Sequence, residues 1–534
     1  MSEAWLTPTR PYFLAWARRS VRLQSRISYP SSLLTPLQRC PISSSSHPEK
    51  RRRLLTLAIE TSCDDTCVAV LEKEEGAGGA AHLRFNGKIT SDNREFRGVY
   101  PIEAVKSHSQ HLSNMVREAM CTFPDAFEEL NTSSNRRDGD NDGENGAINP
   151  RENVLWVDGQ ARRKPDFVSV TRGPGMMSNL SAGLNTAKGL AVAWDVPLLG
   201  VNHMQAHALT PRLVSTLKSG EQENPAASKT TTPDFPFLSL LVSGGHTLLV
   251  LSRSLNDHVV LAEARSIAIG DMLDKCARVI LPASELSASE NVMYGPLLER
   301  FAFPSIPSSD YDYEYQGYAT RAEEVEKYNP GFGWWLTPAL SGSRDMVYEF
   351  SGINGQAQSI MQENPDMVVE ERRVLARHTM RLAFEHLISR LCFALTPSAK
   401  NKKDVGKPDK VENENEELLR KVRTVVVAGG VASNRYLMRI LRATLDARGF
   451  RHIKLECPPI PLCTDNAAMI AWTGMEMYEA GWRSELDIVA LRKWYMDSTA
   501  AGGILGVEGW RKVEDEKERR YPFRNLETQT IVLA

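Results

Sequence analysis

Long apolar runs are absent from this sequence: no stretch reaches roughly 18 consecutive apolar residues, and a membrane-spanning helix needs about 20. Cysteine is scarce. The eight cysteines include no CxxC pair and are too few for a disulfide framework in a chain of 534 residues. The net charge is only −2, so the overall charge attracts neither nucleic acid nor an acidic membrane surface. We predict a globular protein with reduced thiols and no membrane span.

Acidic residues are nearly missing from the first 50 residues, where Glu3 is the only acid before Glu49. Arginines set among serines and apolar residues dominate this segment. Such a composition is typical of a mitochondrial transit peptide. We therefore predict that residues 1–50 direct the protein to the mitochondrial matrix. A disordered basic tail is the alternative.

Two segments open with the same pattern of strand, polar loop and strand. They are "LLTLAIETSCDDTCVAVLEKE" from residue 54 and "FPFLSLLVSGGHTLLVLSRS" from residue 235. Helices follow each segment, and a chain of this length is too long for one core. The duplication predicts an α/β fold of two related lobes with a nucleotide cleft between them. The predicted parts are a first lobe (53–233), a second lobe (234–500) whose final helices pack back on the first, and a C-terminal extension (501–534).

Two polar stretches interrupt the lobes. Residues 131–150, "NTSSNRRDGDNDGENGAINP", and residues 398–418 contain few apolar groups. Ordering them would cost conformational entropy with little burial in return. We predict that both are solvated insertions and that the first is disordered.

Two Gly-Gly turns each follow a predicted buried strand, at Gly244–Gly245 and Gly429–Gly430. Glycine lets backbone amides approach a ligand closely, and the second turn also leads into a helix N-terminus, which favours an anion. Neither turn matches the P-loop or Rossmann pattern. Together with the acidic first loop, the turns indicate a nucleotide held between the lobes. A purely structural role for each turn is the alternative.

Histidines and loop acids provide candidate metal ligands. His203 and His207 are one helical turn apart, which places both imidazoles on one face and suggests a metal site. His108 and His111 have i, i+3 spacing, for which surface histidines are an equally good account. The first polar loop suits a phosphate or a metal, although ordinary turn chemistry is an alternative. Its polar residues are Glu60, Thr61, Ser62, Asp64 and Asp65.

Seven ordered motifs resemble the tRNA N6-adenosine threonylcarbamoyltransferase family, formerly called glycoprotease-like, across roughly residues 53 to 500. The motifs are "IETSCDDT", "RGPGMMSNLSAGL", "NHMQAH", "LLVSGGHT", "DKCARVI", "VVAGGVASNR" and "CTDNAAMIAWTG". The resemblance implies the two-lobed actin/Hsp70/hexokinase-like fold. With the predicted transit peptide, it is greatest to the mitochondrial branch, which works as a homodimer.

The resemblance also implies a reaction. A threonylcarbamoyl group is transferred from threonylcarbamoyl-adenylate, which a separate synthase supplies, to the exocyclic amine of the adenosine 3′ of the anticodon. The acceptors are tRNAs that read A-initial codons, and AMP is released. Two other functions are weighed against this. A metallo-endopeptidase is disfavoured because "HMQAH" lacks the glutamate of HExxH. A nucleotide-binding regulator or kinase of the same fold is the second alternative.

The family positions imply a catalytic metal site and a substrate site. One divalent ion per subunit, either iron, zinc or manganese, would be held by His203, His207 and Asp465. Asp465 would come from the opposite lobe and couple closure of the cleft to metal binding. Asp64 or Asp65 is a candidate for the proton acceptor. The implied substrate contacts are Leu241, Val242, Ser243, Gly244, Gly245, Asp274, Gly295, Glu299 and Asn434.

The chain departs from the family pattern in two places. Around Gly295 the family has a Tyr-Pro-Gly-Gly element, whereas "NVMYGPLLERF" has one glycine before Pro296. The segment "YEFSGINGQ" has the Phe-Ser-Gly core but lacks the lysine that commonly follows it. The departures affect the implied ribose contacts more than the implied metal ligands.

Overall fold

The computed structural model describes most of the chain between residues 52 and 514. The predicted transit peptide (1–50) and the predicted disordered insertion (131–150) lie outside the described residues. The described residues are 52–96, 98–127, 153–221, 230–289, 293–305, 313–327, 329–396 and 410–514.

Strands and helices alternate along this part of the chain, and none of its helices is long and apolar enough to cross a membrane. The strands are β1 (Arg53–Glu60), β2 (Asp65–Glu74), β3 (Ala81–Thr90), β4 (Val154–Val157), β5 (Gln160–Arg163), β6 (Phe167–Gly173), β7 (Leu198–Asn202), β8 (Phe237–Val242), β9 (Thr247–Ser254), β10 (Asp257–Ala264), β11 (Val347–Tyr348), β12 (Thr424–Ala428), β13 (Lys454–Glu456), β14 (Trp482–Ser484) and β15 (Trp510–Lys512). The α-helices are α1 (Pro101–Met120), α2 (Met177–Trp194), α3 (His203–Glu221), α4 (Ile269–Ile280), α5 (Ala283–Ser287), α6 (Gly295–Ala302), α7 (Arg321–Glu324), α8 (Ser351–Glu363), α9 (Val369–Leu395), α10 (Lys410–Lys421), α11 (Arg435–Ala447), α12 (Ile460–Cys463) and α13 (Ala467–Glu479).

The first sheet has the strand order β15-β14-β7-β6-β1-β2-β3. β1, β2 and β3 form an antiparallel meander, whereas β6 runs parallel to β1, and β7 runs parallel to β6. Along β1, Leu55 and Leu57 belong to a core on one face of the sheet. Leu54 and Ala58 belong to a second core on the opposite face. Burial on both faces explains why this strand is a continuous apolar run and not an alternating one.

The second sheet has the order β11-β10-β9-β8-β12-β13. Here β8, β9 and β10 form the antiparallel meander, β12 runs parallel to β8, and β13 runs parallel to β12. The order β10-β9-β8-β12-β13 therefore repeats the order β3-β2-β1-β6-β7 strand by strand. This repeat confirms the predicted fold class, an α/β fold of two actin-like lobes.

Helices α3 and α13 lie between the two sheets. Leu209 of α3 and Trp472 of α13 are fully buried in one core. The same core contains Leu54 of the first sheet together with Leu241 and Val426 of the second. The start of α3 and the segment before α13 therefore lie in the layer where the two lobes meet.

Two segments outside the main sheets differ from expectation. The predicted solvated insertion at 398–418 extends too far, because residues 410–418 belong to helix α10, while 398–409 lie outside the described residues. This helix is strongly charged, but Leu418 and Leu419 pack against the core of the second lobe and anchor it. Within the predicted C-terminal extension, β15 pairs antiparallel with β14 at the edge of the first sheet.

Candidate active site

Helix α3 presents two imidazoles directly after strand β7. The side chain of Asn202 accepts hydrogen bonds from the backbone N–H groups of Met204 (3.0 Å) and Gln205 (3.1 Å), which caps the first turn. His203 and His207 are 7% and 2% exposed. Their ring centroids are 4.7 Å apart, with ring planes at 88°. The predicted pair therefore lies on one buried face of a helix.

Asp465 completes the cluster from the segment before α13. Its Oδ1 lies 3.1 Å from Nε2 of His207 and 3.5 Å from Nε2 of His203. The three side chains offer one ligand atom each within 4.8 Å of one another. Directly after Asp465, the side chain of Asn466 caps α13 by accepting from the N–H of Met469 (3.0 Å). The structure thus brings together the three residues that the sequence predicts as metal ligands.

Asp465 is held by the first lobe. Lys88 on β3 donates a hydrogen bond from Nζ to the backbone oxygen of Asp465 (3.2 Å), and the thiol of Cys67 on β2 donates to the same oxygen (3.8 Å). Helix α13, which follows, packs on β1 and β2. The prediction that Asp465 comes from the opposite lobe, and couples closure of the cleft to metal binding, is therefore wrong. The chain has already returned to the first sheet when it reaches this residue.

Neighbouring carboxylates determine the charge on the histidines. Burial alone would lower the pKa of His203, but Glu60 and Asp465 outweigh it and raise this pKa to about 9. Burial lowers the pKa of His207. Burial would raise the pKa of Asp465, but the two histidines hold it below its usual range. Without a metal, His203 is therefore the protonated histidine of the cluster, and a bound cation would displace that proton.

The donor atoms fit a divalent metal ion. Two imidazole nitrogens and one carboxylate oxygen form a donor set that iron, zinc and manganese all accept. The second ring nitrogen of His203, Nδ1, lies 3.2 Å from Oε2 of Glu60, as is usual for a metal-binding imidazole. Nδ1 of His207 is buried and has no hydrogen-bond partner among the described residues. His203 and His207 would hold the ion through Nε2, and Asp465 through a carboxylate oxygen.

The turn between β8 and β9 offers open backbone close to this cluster. Ser243 closes the turn, because its N–H donates to the backbone oxygen of His246 (2.9 Å) and its Oγ accepts from the N–H of His246 (3.0 Å). Gly244 and Gly245 are exposed, and a Cβ built on either would meet no atom of the described residues within 4 Å. Burial, together with the nearby charges of His203 and His207, lowers the pKa of His246 to about 4. The turn therefore presents exposed backbone within electrostatic reach of the two histidines.

Two predicted contacts, Leu241 and Val242, reach a ligand only through their backbone. Leu241 is buried in the core between the sheets, and Val242 in the outer core of the second lobe. Gly270, near the start of α4, fixes the position of the turn. Its N–H donates to the backbone oxygen of Ser243 (3.1 Å), and a Cβ there would lie 2.7 Å from that oxygen.

The remaining predicted substrate contacts form a second group on the second lobe. Oδ1 of Asp274 accepts a hydrogen bond from the N–H of Gly295 (2.7 Å). Oε1 of Glu299 accepts one from the N–H of Tyr436 (3.0 Å), and Asn434 caps the helix that contains Tyr436. Burial raises the pKa of Asp274 to about 6 and also raises that of Glu299. The structure therefore groups all four residues while bonding each to the protein.

The sequence matches one protein family over more than half of its length. The family model "TsaD: tRNA N6-adenosine threonylcarbamoyltransferase" matches residues 159–472. The mitochondrial tRNA N6-adenosine threonylcarbamoyltransferase of Schizosaccharomyces pombe is 32% identical over 478 residues, which cover 87% of this chain and 91% of that protein. The chain belongs to the tRNA N6-adenosine threonylcarbamoyltransferase family.

A bacterial protein and a solved structure are also similar to this chain. The tRNA N6-adenosine threonylcarbamoyltransferase of Rhizobium meliloti is 29% identical over 451 residues, 83% of this chain and 96% of that protein. T. kodakarensis HypF gives a TM-score of 0.36 at 12% identity, over 80% of this chain and 47% of that one. A likeness of that size has no bearing on the function of the transferase.

Several residues that support the site of this transferase are not evident from the sequence. The sequence pattern predicts Glu60 in a polar loop. In the structure, Glu60 is the last residue of β1 and is 1% exposed. Lys88 lies in an edge strand and carries no motif, yet it bonds to Asp465 and pairs with Asp65 at 2.5 Å. His246 is part of the motif "LLVSGGHT", which was the only signal for it.

His108 supports the loop between β1 and β2. Its Nδ1 lies 2.8 Å from Oγ1 of Thr66, and its Nε2 lies 3.0 Å from the backbone oxygen of Cys63. His108 is 0% exposed, so the alternative of a surface histidine is wrong for this residue. It is a buried brace of the loop that leads from Glu60 to Asp65.

Proposed function

We propose that this transferase moves the threonylcarbamoyl group from threonylcarbamoyl-adenylate to the exocyclic amine of the adenosine 3′ of the anticodon, in mitochondrial tRNAs that read A-initial codons. AMP is the second product. The observation that carries the proposal is the convergence of His203, His207 and Asp465 within 4.8 Å. It supplies a metal site close to an open glycine turn, which is what transfer from an adenylate requires.

The reaction joins the amine nitrogen to the carbamoyl carbon and breaks the bond from that carbon to a phosphate oxygen. A divalent ion on the three ligands supplies, when bound, polarisation of the carbonyl and stabilisation of the leaving phosphate. The backbone amides of Gly244 and Gly245 donate hydrogen bonds to the phosphate, with Ser243 beside them. Both glycines are exposed, and the N–H of Gly245, which donates to Oγ of Ser243 (3.3 Å) in the structure, would exchange that partner for the phosphate.

The second-lobe group orients the nucleotide. Asp274 and Glu299 accept hydrogen bonds from the N–H groups of Gly295 and Tyr436, and we place the ribose hydroxyls beside these two carboxylates. Gly295 has no side chain, and a Cβ built on it would lie 3.7 Å from Oδ1 of Asp274, an ordinary van der Waals contact. Asn434 lies at the other side of the nucleotide. In this proposal, the reacting carbon lies at the metal ligands of the first lobe, and the adenosine lies at the second-lobe group.

The attacking amine must lose a proton, and Asp64 and Asp65 are the two candidates to accept it. Burial raises the pKa of Asp65 to about 6 against the opposing charge of Lys88. A pKa near the working pH suits a general base. Burial also raises the pKa of Asp64. We propose both as candidates, since Lys88 and Thr90 already bond to the two carboxylate oxygens of Asp65.

The location and partners of the enzyme belong to the same proposal. The arginine- and serine-rich residues 1–50 and the mitochondrial relative from S. pombe favour import into the mitochondrial matrix. Its partners there would be tRNA, a separate synthase that makes threonylcarbamoyl-adenylate, and a second copy of this chain. Fusion of residues 1–50 to a fluorescent reporter should send it to mitochondria, whereas an even cytosolic signal would contradict this part of the proposal.

Transfer by the purified protein tests the reaction. The protein is incubated with Zn²⁺, threonylcarbamoyl-adenylate and a mitochondrial tRNA that reads an A-initial codon. Mass analysis of the digested tRNA should show threonylcarbamoyladenosine, with AMP formed in equal amount. A tRNA that reads a codon with another first base is the matched control and should stay unmodified. ADP formation from ATP, without modified tRNA, would favour a kinase instead.

A further inference from the structure

Glu60 is a buried carboxylate whose two oxygens have different partners. Oε1 accepts a hydrogen bond from the backbone N–H of Ser62 (2.6 Å). Oε2 accepts one from the hydroxyl of Thr171 on the neighbouring strand β6 and lies 3.2 Å from Nδ1 of His203. These contacts join β1, β6 and the first residue of α3, so neither the carboxylate nor the imidazole can turn without breaking bonds.

The contact with Glu60 decides which nitrogen of His203 carries the proton. A carboxylate only accepts hydrogen bonds, so Nδ1 must be the protonated nitrogen. In a neutral imidazole, Nε2 then keeps its lone pair, and Nε2 is the atom that lies 3.5 Å from Asp465. The opposite tautomer would present N–H to the position where a cation must sit and could not bind it.

We propose that Glu60 is a positioning residue that fixes the orientation and tautomer of His203 for metal binding. The inference rests on the metal site of the proposed function. Glu60 is not itself a member of the cluster formed by His203, His207 and Asp465. It acts through His203.

Ser62 is the competing partner of the same nitrogen, because its Oγ lies 3.3 Å from Nδ1 of His203. A hydroxyl can also donate, so it permits either tautomer, whereas a carboxylate permits one. A hydrogen bond to an ionised acceptor is also about twice as strong as one between neutral groups. Glu60 therefore sets the tautomer, and Ser62 follows it.

The substitution Glu60→Gln tests this with little change in volume. Glutamine has one acceptor oxygen and one NH₂ group, but the site presents donors on both sides. If its oxygen faces Ser62, the NH₂ group faces His203 and forces the proton onto Nε2. If its oxygen faces His203, the N–H of Ser62 loses its partner. The second arrangement keeps the metal-binding tautomer but sets two donors against each other, so the first, which blocks metal binding, is favoured.

The measurement is the affinity for Co²⁺ and for Zn²⁺ in competition with a chromophoric chelator, using full-length protein. Glu60→Gln should weaken both affinities by about 10- to 100-fold, the usual range for such supporting residues. Its Co²⁺ absorption spectrum should also change. Glu72→Gln is the matched control, since Glu72 is a buried carboxylate of the same sheet that pairs with Arg84 instead. Its affinities should stay within about twofold of the parent.

The outcomes separate this inference from the proposed function. Parent-like affinity in folded Glu60→Gln would overturn the positioning role while leaving the metal site intact. Absence of binding in the parent protein would overturn the metal site itself. If Glu60→Gln does not fold, Ser62→Ala decides: near-parent affinity supports Glu60 as the partner of Nδ1, and a tenfold loss assigns that role to Ser62.

Discussion

The loop between β1 and β2 and the turn between β8 and β9 occupy equivalent places in the two lobes, yet their surroundings differ. In the first lobe, Thr61 donates to the backbone oxygen of Asn179 (2.8 Å), and Ser62 is 3% exposed. In the second lobe, Gly244 and Gly245 are exposed and have open space around them. One hairpin is thus a packed support for the candidate metal ligands, and the other is an open surface that we propose for the substrate.

The largest effect should come from the ligands that the packed side supports. His207→Ala and Asp465→Asn each leave a set of two donors that cannot fix the geometry of an ion. Both variants should retain circular dichroism close to that of the parent, bind little metal and lose transfer by at least about 100-fold. Metal content is measured by mass spectrometry after purification. Full metal content with near-parent transfer in either variant would remove that residue from the ligand set.

A pair of glycine substitutions compares the two hairpins directly. A Cβ at Gly175 would lie 2.7 Å from the backbone oxygen of Ser62, whereas one at Gly245 would meet nothing within 4 Å. Gly175→Ala should therefore lower the free energy of unfolding by about 1–3 kcal/mol, the usual effect of overpacking. Gly245→Ala should leave the Tm unchanged and raise the KM for threonylcarbamoyl-adenylate. The reverse pattern, a lowered Tm only in Gly245→Ala, would contradict the proposed difference between packed and open turns.

Buried carboxyls extend the comparison to pH. Asp65 of the first lobe has Lys88 beside it, but Asp274 of the second lobe accepts a backbone hydrogen bond. Burial raises the pKa of Asp274 from 3.8 to about 6 in the folded state. The folded state then binds the extra proton, so this group favours folding below about pH 4, and its contribution is lost as the pH rises through about 6.

Asp274→Asn keeps an acceptor for Gly295 and removes the titration. From pH 4 to pH 7, the parent should lose on the order of 1 kcal/mol of unfolding free energy relative to this variant. Urea unfolding at several pH values measures the difference. Parallel pH profiles for parent and variant would show that Asp274 keeps an ordinary pKa.

The smallest effect is expected from the polar insertions that interrupt each lobe. Removal of residues 131–150 or of residues 398–409 should change the Tm by only a few degrees, because these segments have little apolar surface to bury. Removal of residues 410–421 is the control. It should lower the Tm much more, since Leu418 and Leu419 of α10 pack against the second-lobe core. Loss of folding on removal of either insertion would show that it is a structural element.

The sequence predicts those parts of the fold and site that depend on local spacing. The hairpins with continuous apolar strands and the pair His203–His207 follow from periodicity along the chain. The prediction of Asp465 as a ligand depends on the family resemblance alone, because Asp465 and His207 are 258 positions apart in the sequence.

The remaining features depend on contacts that no local pattern records. The attachment of Asp465 to the first lobe was predicted wrongly, since it depends on where the chain crosses back between the sheets. The role of Glu60 was not predicted, because its contact with His203 spans 143 positions. Helix α10 was assigned mostly to an insertion because most of its residues are polar, and the two leucines that anchor it, Leu418 and Leu419, lie near its end.

The most direct test of the proposed metal site is a crystal structure of the full chain with Zn²⁺, with the ion located by its anomalous scattering. We expect one strong peak about 2.0–2.2 Å from Nε2 of His203, Nε2 of His207 and a carboxylate oxygen of Asp465. Glu60 should remain bonded to Nδ1 of His203. A strong peak at other residues would contradict the proposed metal site. An ion held through Nδ1 of either histidine would contradict the proposed binding through Nε2.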